Sequence, residues 1–154
     1  MSFFSFDIEQ VKQIHDLILE TEAGLQGYYG DNKLGGALGR IDDHIHYNNL
    51  NEVYDIAALY IEAIAKGHCF ADANKRTSLV VGLEYLKLNG IEVVEYKFLA
   101  HMVALLAAGH IGRDFVATIL YWVSIGVEIV EVDMTLDDLS EYLQAKMIEH
   151  DMPH

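Results

Sequence analysis

Residues 53–90 read VYDIAALYIEAIAKGHCFADANKRTSLVVGLEYLKLNG, and this stretch decides the fold. Val53, Ile56, Ala57, Tyr60, Ile61 and Ile64 recur at helical spacing and mark one buried face, so a helix runs up to Gly67, next to His68. A five-residue loop, Cys69 to Ala73, follows. Asn74, Lys75 and Arg76 then open a second helix, whose apolar positions Leu79, Val80, Leu83 and Leu86 end at Asn89 and Gly90, a left-handed stop.

Outward from this helix–loop–helix, the pattern stays helical. On the amino-terminal side, Asp7 caps a helix with Ile8, Val11, Ile14 and Ile18 on its apolar face, ending near Gly24. The segment GLQGYYGDNKLGG, residues 24–36, has five glycines and two adjacent tyrosines and predicts a loop, with room for a short β-hairpin or flap. Leu38, Ile41 and Ile45 resume a short helix, and Asn51 is the expected cap of the next. On the carboxyl side, Ile91 to Val94 read as a short extended piece. Two more helices follow at about 96–108 and 112–125, the second carrying Phe115, Val116, Ile119, Leu120, Trp122 and Val123. One proline and no sustained alternation leave a compact all-α fold as the expectation.

Composition bounds the function classes. The chain has 154 residues, 52% of them apolar, enough for one domain with a real core and no staples. Ten Lys and Arg against 24 Asp and Glu give a net charge of −14, which argues against DNA or RNA as a partner, since phosphate-backbone affinity comes from released counterions around cations. A single cysteine rules out an intramolecular disulfide and fits a reducing compartment. The opening MSFFSFDIEQ has no basic n-region and no run of about 18 apolar residues occurs, so the expectation is a cytoplasmic protein with no membrane partner. Charge also divides the chain, into a domain over residues 1–126 and an acidic extension over 127–154. The extension sets eight carboxylates against Lys146, half of the total net charge. Thr135, followed by Leu136, Leu139, Tyr142, Leu143 and Met147, predicts one helix there.

Lys66, Lys75 and Arg76 crowd into eleven residues of an otherwise acidic chain. The first turn of a helix exposes unpaired N–H groups at its partly positive end, where carboxylates are ordinarily preferred over cations. Lys75 and Arg76 at that spot cost helix stability unless a polyphosphate supplies the negative charge. Asp72 can hold Mg²⁺ against phosphate oxygens, and His68, with an ordinary pKa of about 6.5, can take a proton from a hydroxyl nucleophile. His44 and His46 form an HxH pair, but on a helix their side chains diverge by about 200°, so no shared metal is expected.

The string His68-Cys69-Phe70-Ala71-Asp72-Ala73-Asn74-Lys75-Arg76-Thr77 resembles the signature loop of the Fic/Doc family. Typical Fic loops read HPFxxGNGR, whereas Doc-like loops read HxFxxANKR; here Ala73 and Lys75 stand at the two Fic glycine positions and Cys69 at the Fic proline. The likeness extends through the preceding helix, the EYLKLNG segment and the IHD around His15 and Asp16, so it covers roughly residues 6–125. It implies a helical Fic-type domain that uses ATP and Mg²⁺ to modify a protein hydroxyl. By the same resemblance His68, Asp72, Lys75 and Arg76 are catalytic, Asp72 is the metal ligand, and Ala73, Asn74, Lys75, Arg76 and Thr77 hold the nucleotide. Phe70 anchors the loop.

Fic proteins mostly transfer AMP. In Doc-like proteins, lysine at the second glycine position is associated with an inverted nucleotide and phosphoryl transfer, and a lysine does fill the space that glycine leaves for close approach of a phosphate. The Doc-like branch implies a toxin that arrests translation, with elongation factor Tu as the target and a separate antitoxin as partner. The Gly-rich segment matches the flap that aligns the target in relatives, placing Tyr28 and Tyr29 as candidate target contacts. Ser124-Ile-Gly-Val-Glu128 has the spacing of the Fic inhibitory motif but carries Ile129 where Gly or Asn belongs, so no inhibitory helix is assigned. The readings left open are phosphoryl transfer, transfer of AMP, and a catalytically idle binding module of the same fold.

Overall fold

A computed structural model of the chain describes residues 5–94 and 97–126, together with Glu141 and Ala145. Over residues 5–126 as described, six helices follow in order: α1 (Ile8–Thr21), α2 (Asp31–Tyr47), α3 (Val53–Gly67), α4 (Asn74–Leu88), α5 (Lys97–Ala107) and α6 (Arg113–Ser124). Among the described residues there is no β-strand, and no helix is long and apolar enough to cross a membrane. The fold is all-α, as the periodicity predicts. Apart from Glu141 and Ala145, the acidic extension and its predicted helix lie outside the described residues.

α3 is the central element, in contact with α2, α4, α5 and α6. Ile56, Ala57, Ala58, Leu59, Tyr60, Ile61, Ile64 and Ala65 are all buried, so the helix is covered on most sides. Each fully buried isoleucine contributes roughly 1.5–3 kcal/mol. Polar atoms in this core are used to tie helices together. Tyr60 Oη accepts the Phe6 amide at 3.1 Å. Ser124 Oγ donates to the Tyr121 carbonyl at 2.6 Å, which leaves Tyr54 Oη, 2.9 Å away, as the donor to Ser124. The start of α3 is thereby fixed to the end of α6.

α4 approaches α3 closely because Gly82 carries no side chain. A Cβ there would lie 2.5 Å from Cγ1 and 2.6 Å from Cδ1 of Ile61. The predicted stop at Asn89 and Gly90 forms as a Schellman turn: Gly90 has φ +88, its amide donates to Lys87 O, and the Ile91 amide donates to Leu86 O. The Asp7 cap also forms, reinforced into a capping box in which Gln10 Oε1 accepts the Asp7 amide.

Four expectations are corrected. The Gly-rich segment is not loop throughout, because α2 begins at Asp31 and takes in Gly35 and Gly36. Leu34, Ala37, Leu38 and Ile41 are buried at i, i+3, i+4 and i+7, and that burial outweighs the cost of two helical glycines, about 1 kcal/mol each. Asn51 does not cap α3; Glu52 stands at that position without a side-chain cap bond, after Asn49 has turned the chain at φ +52. Residues 91–94 form no strand. No hairpin forms either: what does form is one antiparallel bridge, between Tyr28 and Phe70.

Candidate active site

The α3–α4 loop is bracketed by two residues in the left-handed region, His68 (φ +49, ψ +43) and Ala73 (φ +66, ψ +22). Neither is glycine, so both positions are strained, and such strain is held only where the surroundings over-determine the backbone. Here they do. Cys69 and Phe70 are buried beneath the loop. Asn74 Nδ2 donates to Phe70 O at 2.9 Å while its Oδ1 accepts the Phe70 amide at 3.1 Å, closing the loop on itself. The chain at 27–29 pairs with the loop from outside: Tyr29 N donates to Cys69 O and Ala71 N to Gly27 O, each at 3.0 Å. Only glycine permits this approach at 27, since a Cβ would meet that of Ala71 at 2.8 Å.

His15 of α1 holds the loop from below. It is 2% exposed, its ring stacks on Phe70 at 3.8 Å between centroids, and its Nε2 donates to Asp72 O at 3.0 Å. Nδ1 faces Asp16 Oδ1 at 3.3 Å. The sequence carried a signal for this residue, since His15 falls four residues after Val11 on the apolar face of α1, where a polar ring needs a buried partner.

A cavity of about 370 Å³ opens above the loop, lined by Ala65, His68, Ala71, Asp72, Ala73, Asn74, Lys75 and Arg76. Larger hollows of about 690 and 730 Å³ lie elsewhere and are lined by carboxylates, among them Asp55 and Asp114 in one and Asp7 and Asp42 in the other. The structure thus brings together all the sequence-predicted residues except one. His68 and Lys75 are exposed at the mouth. Thr77 is fully buried, so its side chain is out of reach of a ligand; its amide donates to Ala73 O as the first bond of α4. Asn74 lines the cavity but its side chain is committed to Phe70, so it shapes the cradle and offers its backbone amide.

That amide is one of several. α4 has no side-chain N-cap and no acidic residue in its first turn, so the Asn74, Lys75 and Arg76 amides point outward unpaired. Asp72 Oδ1 accepts the Ala73 amide at 2.7 Å and Oδ2 the Leu25 amide at 3.2 Å. These two bonds, with Arg76 and His15 adding to them, hold the carboxyl below the usual aspartate range, so it stays ionised at any physiological pH. Among the described residues no group of three or more His, Cys, Asp or Glu converges as a metal cage. A single anchored carboxylate fits Mg²⁺, which keeps several waters and takes its remaining ligands from phosphates.

Arg76 is already occupied. Its Nη1 donates to Glu22 Oε2 at 2.8 Å and to Ala23 O at 3.3 Å, and Nη2 lies 3.8 Å from Asp72 Oδ1. Glu22 gives no sign in the sequence, being 54 residues from its partner. Tyr28 is packed rather than offered: Lys12 sits 4.6 Å over its ring and its hydroxyl donates to Asp31 at 2.6 Å. Burial first, then that bond, raises the phenol well above its ordinary pKa. Tyr29 stands 60% exposed.

The sequence profile of the Fic/DOC family matches residues 5–86. Protein kinase doc of Escherichia phage P1 is 32% identical over 112 residues, spanning 73% of this chain and 89% of the phage protein.

Proposed function

This chain belongs to the Fic/DOC family, and from that premise we propose that it is a Doc-like protein kinase, the toxin of a toxin–antitoxin pair, moving the γ-phosphoryl group of ATP to a hydroxyl of a target protein. The observation that carries this reading is the uncapped start of α4, with its free amides, Lys75 and Arg76, set beside an exposed His68. It is a ready seat for a polyphosphate.

In this reading the amides of Asn74 to Arg76 receive phosphate oxygens and Lys75 adds a point charge at the mouth. Asp72 would hold Mg²⁺, which shields phosphate charge. His68 takes the proton as the target oxygen bonds to the γ-phosphorus, and the bond to the bridging oxygen breaks to release ADP. A base so placed contributes about 10² to 10⁴ in rate. The left-handed backbone at His68 turns the imidazole outward, where a side chain of a second protein can reach it. A translation factor such as elongation factor Tu is the target that the Doc resemblance suggests, and a separate antitoxin the partner.

ATP labelled at the α or the γ position, incubated with the protein, Mg²⁺ and lysate, tests the reading. Protein labelled from the γ position and lost in His68→Ala is the expected result. Label from the α position alone would make the enzyme an AMP transferase, and label from neither would leave a binding module.

A further inference from the structure

The sequence groups Lys66 with Lys75 and Arg76, but the fold separates them. Lys75 and Arg76 face the cavity above the loop. Lys66 lines a second cavity of about 410 Å³ between α2, α3 and α6, together with Arg40, His44, Glu62 and Arg113. Three of the ten Lys and Arg in a chain of net charge −14 therefore converge on a hollow that the proposed chemistry does not use.

The wall of this cavity is fixed. Arg113 Nη1 donates to Glu62 Oε1 at 3.3 Å and its Nη2 donates to His44 Nε2 at 3.1 Å, so one guanidinium joins three helices. Arg40 and Lys66 stand exposed at the rim with no ion pair among the described residues. The floor includes Ile41 and Leu59, both buried. Three cations against one carboxylate leave an excess of positive charge in a concave site, which concentrates anions.

We propose that this cavity docks an acidic, amphipathic peptide segment of a partner protein. Glu62, held in place by Arg113, opposes a compact dianion such as phosphate. A peptide instead can spread its carboxylates over Arg40 and Lys66 and lay an apolar side chain on the half-buried Ala63 of the same lining, the apolar-centre, polar-rim plan of protein interfaces. Lys66 is two residues before His68, so a segment bound here lies beside the loop. The inference does not depend on the reaction proposed above.

The test titrates the full chain with a roughly twelve-residue peptide alternating glutamate and leucine, with its glutamine counterpart and with inorganic phosphate, following backbone amide shifts. The acidic peptide is expected to shift residues around Arg40 and Lys66. It should bind about tenfold more weakly to the Arg40→Glu, Lys66→Glu double variant, as loss of two rim charges implies, and to weaken as salt rises. Lys75→Glu should leave that binding unchanged. Should the double variant lose its fold, Arg40→Ala and Lys66→Ala, both at exposed positions, read the same effect singly. Equal binding of the glutamine peptide, indifference to the rim substitutions, loss on Lys75→Glu, or phosphate alone saturating the same amides would each overturn the proposal.

Discussion

Ala73 takes a conformation that glycine prefers, and it does so at the position where Fic loops carry glycine. Left-handed backbone costs an L-residue roughly 1–2 kcal/mol, while replacing alanine by glycine loosens the unfolded chain by about 0.4–1 kcal/mol. Ala73→Gly is therefore expected to be neutral or to stabilise by up to about 1 kcal/mol in urea unfolding, whereas Ala73→Val, β-branched and 5% exposed, should lose roughly 1–3 kcal/mol. Glu22 makes a second prediction. Its carboxylate occupies the guanidinium that a triphosphate would use, but the pair is half exposed, so its worth is at most about 1 kcal/mol. Glu22→Gln should tighten ATP binding roughly two- to fivefold in calorimetry; weaker binding would mean that Glu22 positions Arg76 instead of competing for it. The contiguous string from His68 to Arg76 was legible in the sequence because the cavity is built from one turn and one helix start. His15 stood out only as a polar ring on an apolar face, and Glu22 not at all; the partners of both lie 57 and 54 residues away, which hid their roles. The commitment of Asn74 to Phe70 and the burial of Thr77 depend on side-chain direction, which residue type does not specify.

Among the elements, the α3–α4 pair positions the loop, and its closeness depends on Gly82. Gly82→Ala would gain up to about 1 kcal/mol in helix propensity but drives a methyl into Ile61, which is wholly buried, so a net loss of roughly 1–3 kcal/mol is expected. Thermal unfolding of that variant alone and with Ile61→Val checks the cause, since the second change should restore part of the loss. Helices α1, α3 and α6 were readable because each carries an apolar stripe at its own period, whereas α4 buries Val81 and Tyr85 in place of the expected Val80 and Leu83 and was legible from its Asn89–Gly90 stop. The first turns of α2 were hidden by Asp31, Asn32, Gly35 and Gly36, residues that favour turns locally. What makes them helical is Leu34 packed in the core, a tertiary fact with no local sign.

At the scale of the whole molecule, a net charge of −14 pushes the folded chain against itself. Raising salt from about 10 to 200 mM screens that repulsion and should raise Tm, the opposite of what a fold resting on surface ion pairs would show. The described ion pairs are few and mostly exposed, so screening them costs little. One buried atom allows the opening of this molecule to be timed. Cys69, the only thiol, is 0% exposed under the loop, and burial pushes its pKa up despite the pull of Lys33 and Arg40. An alkylating reagent can reach it only when Phe70 and its neighbours lift, so the rate of maleimide capture becomes a stopwatch for breathing of the α3–α4 turn. Nucleotide seated on that turn should slow the stopwatch without any engineered label.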